Sequence, residues 1–188
     1  MAIEDRRVRE REARRQLIIT TARTLAEAEG WDAVTTRRLS TEIEYSQPVL
    51  YKHFQGMDQI ADAIAIEGFG ELAEVIRGAG GGAADGALSR IARAYLDFAR
   101  DNPAVYDAMF TRATSLRFAA DATPPELTAA FAELHRAVAL VADTQDADTL
   151  TEVFWAALHG LVTLGRTGRL RADHDSERLQ ALVAQFTN

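Results

Sequence analysis

Cysteine is absent from this 188-residue chain. That absence excludes disulfide scaffolds, thiolate zinc sites and cysteine nucleophiles. Lysine is almost absent too: Lys52 is the single ammonium among 21 basic side chains, and the rest are arginine. No apolar run reaches membrane-spanning length and the first residues are charged, so neither a signal peptide nor a transmembrane helix is expected. A soluble, cytoplasmic chain with no membrane partner follows as the expectation. No stretch alternates β-branched and polar residues at period two, so no sheet is expected. An excess of basic charge is lacking as well. Acidic residues outnumber basic ones by 28 to 21, a formal net charge of −7. As a single number, that argues against nucleic acid as a partner.

The charge is unevenly divided, which weakens that argument. Residues 1–60 hold ten basic and ten acidic side chains, so the whole acidic surplus lies in residues 61–188. Arg6, Arg7, Arg9, Arg11, Arg14 and Arg15 crowd the first fifteen residues. Two readings of that run stand. It is a solvated helix face with Glu10 and Glu12 as partners, or a basic arm beside a polyanion. At 47% hydrophobic and 26% charged residues, the chain can bury an ordinary core. Its length suits one domain, or a small domain fused to a medium one.

Thirty-five alanines and the spacing of the apolar residues predict an all-α chain of about nine helices. The first is expected over about Arg7 to Glu29, with Ile18, Ala22, Leu25 and Ala26 on one face and Gly30 as its stop. Trp31 follows as a packing anchor. Thr35 is a good N-cap for a short helix over Thr36 to Ile43, and Ser46 for another over Gln47 to about His53. Pro48 in that first turn costs little, because its missing N–H would have no helical partner. Further helices are expected over Met57 to about Arg77, Asp85 to Arg100, a short one after Pro103, Pro125 to about Ala142, Ala147 to Leu164, and Ser176 to Phe186. The Gly-rich residues 78–86 lack the preceding strand that a phosphate cradle needs, and read as a helix–helix connection.

Thr35 to Phe54 is the informative stretch. Two short helices lie about three residues apart, the first presenting Leu39 and Ile43 to a core, with the small Ser40 where the second must approach. This is the arrangement of a helix-turn-helix, whose second helix enters a major groove. Gln47 has the groups to read adenine, and Val49 to touch a thymine methyl. Tyr51, Lys52 and His53 can donate to phosphate oxygens, and so can the N–H groups that open both short helices. An ordinary three-helix corner with solvated polar residues fits the same pattern.

These residues resemble a known family. Gly30-Trp31-Asp32-Ala33-Val34-Thr35-Thr36-Arg37-Arg38-Leu39-Ser40 is similar to the start of the TetR-type helix-turn-helix. Ser46-Gln47-Pro48-Val49-Leu50-Tyr51-Lys52-His53-Phe54 is similar to its second half. The likeness spans roughly residues 14–62 and implies a dimeric, ligand-responsive transcriptional regulator, usually a repressor. It implies backbone contacts from Thr35, Arg37, Ser46, Tyr51 and His53, base-facing positions at Gln47, Pro48 and Val49, and a buried Phe54. Thr36 and Lys52 complete the expected DNA-facing set. Three positions depart from the family pattern. Glu44 stands where glycine is usual, at a cost of about 1 kcal/mol if φ is positive there. Tyr45 replaces a small apolar residue. Met57 replaces the basic residue that usually opens the fourth helix, which removes one phosphate contact.

Trp155-Ala156-Ala157-Leu158-His159-Gly160-Leu161, extended by Gly168-Arg169-Leu170, is similar to the Trp-x-x-x-His-Gly signature of one C-terminal class of TetR-type regulators. Trp155 and His159 are four residues apart and share one helix face. A core tryptophan beside a satisfied histidine fits this spacing, with Gly160 allowing close helix packing. The alternative is an effector cavity with aromatic walls and one polar anchor. The candidate lining residues are Tyr106, Met109, Phe110, Phe131, Trp155 and His159.

No catalytic constellation is expected. His53, His135, His159 and His174 include no pair at metal-ligand spacing, so no metal and no cofactor are expected. There is no nucleophile elbow and no phosphate-loop motif. Asp143, Asp146 and Asp148 read as a solvated face. The expected organisation is a DNA-binding domain over residues 1–56 and an effector-binding and dimerisation domain over 57–188. The partners are a palindromic DNA operator, a small-molecule effector and a second copy. The last two helices would pair across the two-fold and bury Leu179, Leu182, Val183 and Phe186. The alternative is a helical ligand-binding or interaction protein that has lost sequence-specific DNA binding through Glu44 and Met57.

Overall fold

The computed structural model describes residues 2–81, 86–112, 116 and 123–187. Among these residues the chain forms nine α-helices and no strand. They are α1 (Ala2–Glu29), α2 (Thr36–Glu42), α3 (Gln47–Tyr51), α4 (Met57–Gly80), α5 (Ala87–Asp101), α6 (Pro103–Asp107), α7 (Pro125–Val138), α8 (Ala147–Arg166) and α9 (Asp175–Thr187). A 3₁₀ turn over Trp31–Ala33 follows α1, and a π-helical stretch over Ala108–Arg112 follows α6. Residues 82–85, the middle of the Gly-rich connection, lie outside the described residues.

The chain divides into two compact units, one of Met1–Gly68 with Asn102–Arg117, the other of Phe69–Asp101 with Phe118–Asn188. In the first unit Ile18, Ile19 and Ala22 of α1 are fully buried with Leu39 of α2, and Leu50 of α3 is nearly so. Gly30 ends α1 with φ 84, its N–H donating to the Ala26 carbonyl at 2.9 Å. Trp31 packs as expected, its indole N–H donating to the Ala104 carbonyl at 3.0 Å. The Glu27 carboxylate accepts from the N–H groups of Ala104 and Val105, both at 3.0 Å, and so caps α6 from α1. Arg23 adds a bond to the Asn102 side chain at 3.1 Å. Gly68 of α4 meets the same segment: a Cβ there would stand 2.5 Å from Val105 Cγ1 and 2.9 Å from Met109 Sδ.

In the second unit α5 packs against α7, α8 and α9, burying Tyr95, Leu127, Phe154 and Leu158. Three details differ from the periodicity. The first helix begins at Ala2 rather than Arg7, continued by pairs along its surface such as Arg6–Glu10 at 3.4 Å and Arg14–Glu10 at 3.9 Å. Next, α7 stops at Val138 rather than Ala142, because the chain turns there and Asp143 takes a positive φ of 45. Asp146 is not simply solvated: it caps α8, accepting from the Thr149 N–H at 2.8 Å and the Thr149 hydroxyl at 2.6 Å. Asp148 meets His135 at 3.1 Å.

Candidate nucleic-acid interface

The helix-turn-helix is built as its capping residues dictate. The Thr35 hydroxyl accepts from the Arg38 N–H at 3.1 Å and starts α2. Leu39, Ile43, Leu50 and Phe54 turn inward and are buried. Between the helices Glu44 takes φ 55, in the left-handed region, while the Tyr45 N–H donates to the Ser40 carbonyl at 3.1 Å. The second cap differs from expectation. Ser46 occupies the N-cap position of α3 with extended backbone, but its side chain makes no capping bond. That helix ends at Tyr51, so Lys52 and His53 lie in the turn that follows.

The outward face carries the predicted set. Thr35, Arg37, Ser46, Gln47, Pro48, Tyr51 and Lys52 are exposed, and Thr36, Val49 and His53 half-buried. The two neighbouring arginines separate cleanly. Arg38 is held by Glu29 at 3.0 Å and Glu42 at 2.9 Å, whereas the Arg37 guanidinium has no acidic partner among the described residues. Burial lowers the His53 pKa below its usual 6.5, and the fields of Arg11, Arg14 and Arg15 lower it further against a smaller opposing effect of Glu12. The Arg15 guanidinium lies over the Phe54 ring, 5.1 Å from its centroid.

The expected effector residues fall into two groups. Tyr106, Met109 and Phe110 belong to the first unit, with Tyr106 and Phe110 stacked at a tilt, 4.6 Å between ring centroids. Phe131, Trp155 and His159 belong to the second unit. There Phe131 meets Trp155 edge-on at 6.5 Å, and the Trp155 N–H donates to the buried Tyr95 hydroxyl at 3.2 Å. His159 is half-buried one turn along α8, its Nε2 3.4 Å from the Thr163 hydroxyl. Burial, and to a lesser degree Arg166, lower its pKa below 6.5, so the ring is neutral at pH 7. A Cβ at Gly160 would meet nothing within 4 Å among the described residues, so packing among them does not require that glycine.

Other features escape a linear reading. A cavity of about 220 Å³ opens between α4, α5 and α7, lined by Ile76, Ile91, Ala137 and Leu140 with Arg77 and Glu133 at its polar edge. Glu133 is 5% exposed and takes bonds from Arg77 at 2.9 Å and from Arg136. Nothing in the sequence sets Glu133 apart from other helical glutamates, because Arg77 lies in a different helix. Two apolar residues given to the dimer face are already used: Leu179 is 2% exposed, and Phe186 packs edge-on against Phe154 at 4.9 Å. Among the described residues no His, Asp or Glu cluster could hold a metal ion, and no helix is long and apolar enough to cross a membrane.

Comparison with known proteins places this geometry. Residues 18–64 match the model of bacterial regulatory proteins of the tetR family. Residues 88–186 match that of the tetracyclin repressor-like C-terminal domain. An uncharacterised HTH-type transcriptional regulator of Mycobacterium tuberculosis is 32% identical over 160 residues, covering 82% of this chain and 71% of that protein. A Rhodococcus protein of unknown function superposes with TM-score 0.72 at 24% identity, over 92% of each chain. RolR, solved with resorcinol bound, superposes with TM-score 0.64 at 16% identity over 95% of this chain and 90% of that one. The two domain matches and the mycobacterial relative agree with the helix-turn-helix geometry: the chain belongs to the TetR family of DNA-binding transcriptional regulators.

Proposed function

We propose that this chain is a dimeric repressor, released from a palindromic operator when a small molecule binds its C-terminal domain. Residues 1–56 bind DNA, and residues 57–188 bind the effector and dimerise. One observation carries the first half: the exposed face of Thr35, Arg37, Ser46, Gln47, Tyr51 and Lys52, whose hydroxyl, amide and cationic groups point outward. The Ser46 hydroxyl makes no cap bond and is available to a phosphate oxygen. Gln47 and Val49 at the start of α3 face the bases, while Tyr51, Lys52 and His53 hold the backbone.

The aromatic cluster of Phe131 and Trp155, with the neutral His159 beside it, is the proposed effector contact in the second unit. RolR with its bound resorcinol supports a small aromatic effector, since that molecule shares the fold. An effector acts only through its difference in affinity for the two states. A ~100-fold preference for the DNA-incompetent state supplies about 2.7 kcal/mol of coupling. That suffices to empty an operator of moderate affinity.

A salt-dependent gel shift with the intergenic duplex beside the chain's own gene tests the proposal. The unmodified chain should shift it, and Tyr51→Ala with His53→Ala should weaken the shift at least tenfold while the melting temperature holds. Equal affinity in the double variant would reject this surface.

A further inference from the structure

The face of α1 that packs into the helix-turn-helix core does not end with the core. At 100° per residue, Arg7, Arg11, Arg14 and Arg15 fall on the same side of the helix as the buried Ile18, Ala22 and Leu25. Where the first unit lies beneath this stripe it is apolar, and beyond it the stripe is arginine. The change comes beside the end of the DNA-reading segment, where Arg15 covers the ring of Phe54. The fields of Arg11 and Arg14 also reach His53.

The acidic residues of this helix pair with only half of the stripe, Arg14 and Arg15. Glu10 pairs with Arg6 and Arg14, and Glu12 with Arg15. Arg7, Arg9 and Arg11 have no acidic partner among the described residues. Arg7 and Arg11 are one turn apart on the stripe and exposed. Meanwhile α4 opens with Met57 and Asp58, so the fourth helix brings no cation to the backbone.

We propose that the N-terminal half of α1 is a second DNA-contacting element, in which Arg7 and Arg11 bind backbone phosphates beside the duplex segment read by α3. The inference rests on the DNA-binding function proposed above. Its partner is duplex DNA because the stripe adjoins the reading helix and has the guanidinium geometry that phosphate oxygens match. The contacts add affinity without sequence preference, since they reach no base edge. They also give residues 1–60, which have zero net charge, cations beside the reading helix.

The test is the salt dependence of binding to the intergenic duplex beside the gene and to a random duplex of equal length, followed by fluorescence anisotropy. Each phosphate contact contributes about 0.9 to the slope of log Kobs against log salt. Losing two per protomer in Arg7→Ala with Arg11→Ala should therefore make the slope shallower by about 3.6 for a dimer. Affinity should fall by the same factor on both duplexes, and Arg7→Lys with Arg11→Lys should keep most of the slope. An unchanged slope in the alanine variant, with Tyr51→Ala still weakening binding, overturns this inference and leaves the proposed function standing. A loss confined to the gene's own duplex overturns it too, because it would mean base reading. If the unmodified chain binds neither duplex, the DNA-binding function falls and this element falls with it.

Discussion

Glu44 is the residue at which the turn and its amino acid disagree most. Its φ of 55 suits glycine, and a side chain there costs about 1 kcal/mol in the left-handed region. Glu44→Gly should raise the unfolding free energy by about 0.5–1 kcal/mol, read from the shift of a urea midpoint at constant slope. It also removes a carboxylate beside the DNA-facing surface, so affinity should rise rather than fall. A destabilised variant would mean that Glu44 makes a compensating contact. His53 makes a second prediction at this scale. Burial and the nearby arginines hold its pKa below 6.5 in the free chain, and a phosphate oxygen would raise it in the complex. Binding then takes up a proton, so affinity should climb as pH falls from about neutrality through 6.5. The dependence should flatten in His53→Gln; identical profiles for the two chains would remove His53 from the interface.

At the scale of elements, the contact of α4 with α6 is the most demanding. A Cβ on Gly68 would stand 2.5 Å from Val105 Cγ1, so Gly68→Ala forces one helix to shift and should destabilise by about 1–3 kcal/mol. Gly78 of the same helix has nothing among the described residues within 4 Å of a Cβ. Gly78→Ala should therefore stabilise slightly, by about 0.5–1 kcal/mol. Thermal melts of the two variants shifting in the same direction would refute the close approach at Gly68. Much of this architecture was legible in the chain, because helices announce themselves by period and by local stops and caps. Gly30 and Thr35 mark boundaries through bonds to residues three or four positions away. The reading failed where a bond closes over distance. Glu27 caps α6 across 77 residues of sequence, and the Arg77–Glu133 pair spans 56; neither is written in any local pattern. Ser46 failed for a different reason: residue type states what a side chain can cap, while its rotamer decides whether it does. The exposed positions of α2 and α3 were legible because burying Leu39, Ile43 and Leu50 fixes the opposite face.

For the whole molecule, the question is what joins two copies. Family members act as dimers on two-fold operators, and a half-site contact by one short reading helix is too small to be selective alone. With Leu179 and Phe186 used within their own unit, the apolar surface left on the last two helices lies mainly on α8. Val153 is 53% exposed and Leu164 is 42% exposed, with Ala157 and Gly160 between them. These four positions recur at spacings of four, three and four, one face of a helix. Two such faces crossing at the two-fold would bring backbones close at Gly160, where a Cβ meets nothing among the described residues. The half-exposed Leu182 and Val183 of α9 would extend the contact. Val153→Asp with Leu164→Asp therefore adds four carboxylates to a dimer interface but only exposed charge to a monomer. The variant should elute with the mass of one protomer and keep its helical circular dichroism. It should also lose operator binding by more than Tyr51→Ala with His53→Ala does, because every contact of the second half-site goes at once. A variant that stays dimeric by light scattering would move the interface off this face of α8. A monomer that still binds operator at full affinity would show that the two half-sites act independently.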